Sequence, residues 1–115
     1  MTLLFDASPI AVYPDLAASL GSLQEAIVLQ QLHNQLCDST NFKNGAVWVC
    51  RSIASWQSDV FPWIKSETTL RSYFKDLCRL GLVRVASYNS DPQDRTLWYT
   101  IDYDRVMELG LHLCD

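Results

Sequence analysis

Apolar positions along this chain change their spacing several times, and each change predicts an element. From residue 66 to residue 80, Leu70, Tyr73, Phe74, Leu77 and Leu80 recur every three or four positions, so at about 100° per residue they share one helix face. Arg71, Lys75 and Arg79 share another face. Ser66 predicts the N-cap, Glu67 suits the positive end of the helix dipole, and Gly81 predicts a left-handed stop. Upstream, Ser22-Leu23-Gln24-Glu25 has the form of a capping box and opens a breaker-free run to Leu36, with Ala26, Ile27, Leu29, Leu32 and Leu36 as its buried stripe. Before it, the apolar opening from Leu3 to Val12 reads as core-covering scaffold, and Pro14 and Asp15 fit the first turn of a short helix ending before Gly21. Asp38 to Gly45 is polar and reads as a loop, after which Ala46 to Cys50 reads as a short strand. Ser52 predicts a cap for a helix from Ile53 to Val60, with Ile53, Trp56 and Val60 inward.

Beyond Gly81 the period shortens to two. Leu82 to Tyr88 and Leu97 to Tyr103 read as paired strands around a polar tip from Asn89 to Thr96. Asp102 or Asp104 is then placed to cap a final helix from Arg105 to Leu109. Helix, turn, helix, hairpin is the order of a winged helix-turn-helix. The expected fold class is therefore α+β, mainly α, with a two- to three-stranded antiparallel sheet. The expected organisation is one domain over residues 1–115, with the helix-turn-helix at about 52–80 and the wing at about 82–103.

Charge sharpens this picture. The net charge is −4, yet residues 1–42 carry −4, residues 43–90 carry +4 and residues 91–115 carry −4. The positive block coincides with the predicted second helix, as one-sided docking on phosphates requires. Four widely spaced cysteines without a Cys-x-x-Cys pair read as reduced structural thiols, and His33 and His112 lack finger-like spacing from a cysteine pair, so no metal site is expected. No activated nucleophile, paired acids or glycine-rich phosphate loop marks an enzyme, and no cofactor is expected. The absence of a secretory leader or a span of about 20 apolar residues leads to the expectation of a cytoplasmic protein with no membrane partner.

Taken together, Ser8-Pro9 with Pro14-x-Leu16-Ala17, the run Glu25 to His33, Asn44-Gly45-x-Val47-Trp48-Val49, Trp56, Phe61-Pro62-Trp63, Ser66-Glu67-x-Thr69-Leu70-Arg71, Leu80-Gly81-Leu82-Val83 and Asp94-Arg95-Thr96-x-Trp98 through Tyr103 carry a resemblance. In their order and spacing they are similar to the N-terminal winged-helix domain of replication and regulatory proteins of bacteriophages, prophages and plasmids. The chain departs from that pattern at Asn34-Gln35-Leu36, where aromatics are usual, and at Leu97, where a basic residue is usual. Longer members carry a second region for the replication machinery, so the resemblance implies DNA binding more directly than replication.

The expected function is double-stranded DNA binding in replication initiation or transcriptional regulation. In that mechanism the 66–80 helix enters the major groove, with Thr68, Thr69, Arg71, Ser72 and Lys75 toward base edges. Lys65, Ser66 and Arg79 are placed for phosphates, and Tyr88, Asn89 and Arg95 for the minor groove or backbone beside the wing. The plainer reading of Arg71, Lys75 and Arg79 is a solvated helix face, and that of Arg95 is pairing with Asp91 and Asp94. Trp48, Trp56 and Trp63 are expected in the core, with only Trp98 accessible, which argues against stacking on single strands. Val106, Met107, Leu109, Leu111 and Leu113 are expected to fill the domain's own core, with a homodimer surface as their other use. The alternative class is a winged helix used as a protein-protein adaptor for a replication or host protein, without DNA binding.

Overall fold

The computed structural model describes residues 9–115, so the apolar opening from Leu3 lies outside the described residues as far as residue 8. Helix α1 (Pro14–Leu20) has its proline in the first turn, where the missing N–H has no helical partner to lose. Helix α2 (Leu23–Cys37) follows at once, capped by the Ser22 hydroxyl accepting from the Glu25 amide at 3.2 Å. Only this half of the expected capping box is a cap, because the Ser22 amide donates to the Ala17 carbonyl at 3.2 Å instead of to Glu25.

Asp38 to Gly45, expected as a loop, contains a strand instead. β1 (Asn41–Lys43) pairs antiparallel with β2 (Ala46–Arg51) through a two-residue turn. Asn44 and Gly45 both take positive φ, 51° and 79°, the left-handed pair that matches the twist of a tight hairpin. All three β1 residues are exposed, so this strand has no buried face to write an alternating pattern.

The expected 53–60 helix is two structures in series. The Ser52 hydroxyl caps α3 (Ile53–Ser55), which widens into a π turn over Trp56–Val60, closed by the Phe61 amide donating to the Trp56 carbonyl at 2.9 Å. The turn buries Trp56, Val60 and Phe61 together. Helix α4 (Glu67–Arg79) begins at the expected Ser66 cap and ends at Gly81, whose φ of 79° lets the chain reverse into β3 (Val83–Ala86). A long connection leads to β4 (Leu97–Ile101). Asp102 then caps α5 (Tyr103–Glu108), which starts two residues earlier than expected.

The sheet has four strands in the order β1-β2-β4-β3, all antiparallel, where two or three were expected. The additions are β1 and the pairing of β2 with β4, in the register Val49↔Tyr99. Helix α2 forms the middle of the core, with Val28, Leu29 and Leu32 fully buried against residues of α1, α4 and the sheet. Its buried polar groups hold the end of the chain. Gln30 donates to the Cys114 carbonyl at 2.7 Å and accepts from the Cys114 amide at 2.8 Å, and His33 lies 2.8 Å from both the Tyr103 hydroxyl and the Asp115 carboxylate. Val106 and Leu111 are buried, whereas Met107 and Leu109, also expected inside, are exposed.

Candidate functional site

An aromatic cluster holds α4 in place. Phe74, on its inward face, packs against Trp56 at 5.5 Å and Tyr99 at 4.9 Å between ring centroids, and Trp56 stacks on Phe61 at 5.8 Å. Leu70 and Leu77 lie one turn to either side and are also buried. The same burial pushes the Tyr99 phenol above its ordinary range. With that face fixed, the opposite side of α4 is turned outward, and Thr68, Thr69, Arg71, Ser72, Lys75 and Arg79 are all exposed there.

Nine of the eleven candidate residues fall into three groups. A cleft of about 760 Å³ between α4, the start of α3 and the β3–β4 hairpin brings together Thr68, Arg71, Ser72, Lys75 and Arg95. A second, shallower hollow at the head of α4 gathers Lys65, Ser66 and Thr69 with Trp63. Trp63, expected in the core, is 42% exposed, and its indole N–H donates to Gln24 at 3.3 Å. Arg79 stands apart at the C-terminal end of α4.

Electrostatics divides the cations further. Arg71 pairs with Glu67 one turn back at 3.3 Å, and Arg79 pairs with Asp76. Both pairs are solvent-exposed and within one helix, a kind that contributes only about 0.3–0.5 kcal/mol and yields readily to a phosphate. Lys65, Lys75 and Arg95 form no ion pair with any described residue. The pairing of Arg95 with Asp91 or Asp94, its plainer expectation, is not formed here. Asp91 instead accepts from the Gln93 amide at 2.9 Å, and Asp94 accepts from the Thr96 amide at 3.0 Å and hydroxyl at 2.8 Å, bonds that hold the Asp94 carboxyl below its ordinary range. These acids shape the hairpin tip.

Tyr88 and Asn89 are not brought to the cleft. The Tyr88 hydroxyl accepts from Asn44 at 2.8 Å, and its ring lies edge-on to Trp48 and Trp98 on the β1–β2 side. The Asn89 amide donates to the Thr96 carbonyl, and its oxygen accepts from the Trp98 indole at 3.2 Å, so the side chain clasps the hairpin across its base. At these two positions the side chains brace the hairpin rather than line the cleft. In the cleft the Ser52 hydroxyl accepts from the Ser55 amide and Ser72 donates to the Thr69 carbonyl, whereas the Thr68 hydroxyl has no hydrogen-bond partner among the described residues.

Sequence reasoning missed the aliphatic floor of the cleft, where Val85 and Leu97 are 39% and 38% exposed. Alternation gave no signal for them, since Val85 shares a strand face with buried Val83 and Leu97 shares one with buried Tyr99 and Ile101. Beneath α4, Glu25 of α2 meets Asp76. Burial first, then the hydrogen bond and charge of Asp76, raise the Glu25 carboxyl to about 7 against the opposing pull of Arg79. Among the described residues no three His, Cys, Asp or Glu side chains are grouped to hold a metal ion, the four cysteines are free, and no helix is long and apolar enough to cross a membrane.

Compared with known proteins, the chain matches no family model, no curated protein and no solved structure. The likeness to the phage and plasmid domain therefore rests on its sequence motifs. What the geometry adds is a mixed α+β domain with an antiparallel sheet and one outward-facing helix.

Proposed function

We propose that this chain is a winged helix-turn-helix protein that binds double-stranded DNA, of the phage, prophage or plasmid type, and acts in replication initiation or transcriptional regulation. The observation that carries the reading is the convergence of Arg71 and Lys75 on α4 with Arg95 from the hairpin on one exposed cleft. In this reading α4 lies in the major groove. Arg71 and Thr68 reach base edges, Lys75 and Lys65 neutralise phosphates, and Arg95 touches the backbone or minor groove beside the hairpin. Neutralising about four phosphates gives a salt slope near −3.6, or roughly 150-fold weaker binding at about 200 mM than at about 50 mM salt. A single module of this kind binds weakly, so useful affinity requires paired half-sites or a tethered partner.

The test is a titration of wild type and Arg71→Ala/Lys75→Ala on random duplex DNA at those two salt concentrations. The wild type is expected to bind with the steep salt dependence and the double variant to lose most of its affinity. Equal binding by both, or none by the wild type at low salt, rejects the recognition-helix role.

The adaptor reading keeps one supporting observation. Phe42 on the edge strand β1 and Met107 on α5 are 69% and 77% exposed, more apolar surface than DNA contact uses. Stoichiometric capture of one protein, with no DNA binding at either salt, favours that reading.

A further inference from the structure

The cleft beside α4 holds a feature that duplex DNA does not need. Phosphates are met by cations, hydroxyls and amides, whereas the floor here is aliphatic, with Val85 and Leu97 open to solvent and Ile53 half-buried beside them. At its border stand Lys75 and Arg95, neither paired with a carboxylate among the described residues, while Arg71 in the same cleft is held by Glu67, which also lines it. Two free cations beside an apolar floor, on a protein of net charge −4, form a surface complementary to a molecule that is apolar along its body and anionic at one end. The cleft volume of about 760 Å³ lies within the range of roughly 300–1,000 Å³ typical of small-molecule sites.

We propose that this cleft binds an apolar carboxylate, with the acid head between Lys75 and Arg95 and the hydrocarbon body over Ile53, Val85 and Leu97, and that its occupation excludes DNA from α4. The ligand site stands without the DNA reading, and only the exclusion rests on it. An effector bound here would cover the residues assigned to bases and phosphates without any rearrangement of the core.

The probes are hexanoate, octanoate and decanoate, with decanamide as the uncharged control, titrated into the isotope-labelled full chain and followed by amide chemical shifts. Decanoate is expected to shift amides around Lys75, Val85 and Leu97, with affinity rising by up to roughly fourfold per buried methylene. Lys75→Gln/Arg95→Gln is expected to weaken decanoate about tenfold, the loss of a charge-assisted contact, and to leave decanamide unaffected. Leu97→Asn, at an exposed strand end, is expected to flatten the chain-length dependence. Binding that ignores chain length, shifts that map elsewhere, or equal binding by the double variant overturns the site. In a second measurement, decanoate is expected to displace a labelled duplex from wild type but not from Leu97→Asn. Decanoate binding by a wild type with no DNA affinity supports the site and removes the DNA reading alone. Simultaneous binding of decanoate and duplex overturns the exclusion.

Discussion

Helices α2 and α4 are similar in length and are treated very differently by the fold. α2 buries eight of its fifteen residues, polar Glu25, Gln30 and His33 among them, whereas α4 buries three of thirteen. α2 is surrounded; its Gln30 and His33 tie down the chain end, and its Glu25 meets Asp76 of α4. α4 is held along one stripe, with Glu67, Tyr73, Asp76 and Cys78 half-buried beside it, and its remaining side chains face out. A domain of this size has room for one helix at its centre, and that helix frees another to present chemistry. Stability should therefore be concentrated in α2 and function in α4, a division that substitutions can break.

The largest effect is expected at the centre of α2. Leu29 is fully buried within the main apolar cluster, so Leu29→Ala removes packing and leaves a cavity costing about 2–5 kcal/mol. Chemical denaturation should show the full loss, and DNA affinity at low temperature should change only as far as unfolded protein accumulates. An effect below about 1 kcal/mol would mean that α2 is not the centre of the core.

The next effect lies where the two helices meet. Glu25 is a carboxylic acid whose folded value is raised from 4.5 to about 7, so the folded state holds a proton that the unfolded state has released across that interval. Stability should consequently fall as pH rises from about 4.5 to about 7 and level off above it. Glu25→Gln keeps the amide that Ser22 caps and removes the ionisation. It should abolish that slope and raise stability at about pH 8. Melting curves across this pH range check both sign and window, and a wild type that gains stability over the interval contradicts the assignment.

These two helices also show what was legible in the sequence. The α4 boundaries could be read because Ser66, Glu67 and Gly81 are local signals that act through the backbone, and its inward face because Leu70, Phe74 and Leu77 alternate with charge. α2 was legible as a helix but not as a central one. Val28 and Gln30 lie off the expected stripe and are buried because other elements close over them, which no local spacing records. The same limit explains β1, whose exposed residues carry no alternation although Asn44-Gly45 announced the turn. Leu97 shares a strand face with Tyr99 and Ile101, yet it sits at the strand's start, where the cleft rather than the core lies over it. Charge singled out the cations, but only the fold separates Lys75 and Arg95, which have no ion partner among the described residues, from Arg71 and Arg79, which have one.

A smaller effect tests how firmly α4 is set. The Ser66 hydroxyl accepts from the Thr69 amide at 3.3 Å, and Ser66→Ala leaves that donor to water at a cost of about 1 kcal/mol. Because the aromatic contacts of Phe74 remain, the helix should fray at its head without leaving its seat. Faster amide exchange confined to residues 67–70 is the expected signature, and a loss spread over the whole domain would mean that the cap holds more than one turn.

The smallest effect on stability is expected from the substitutions with the largest effect on the proposed function. In Arg71→Ala/Lys75→Ala the only ion pair lost among the described residues is the exposed one to Glu67, and both side chains project away from the core, so stability should move by less than about 0.5 kcal/mol. Parallel denaturation curves with unequal DNA affinity would place recognition on the outward face of α4 and its support in α2. A double variant that unfolds more easily by 1 kcal/mol or more would instead tie those cations to the fold. Any loss of DNA binding would then be secondary to instability, and the division between the two helices would fail at the point where function depends on it.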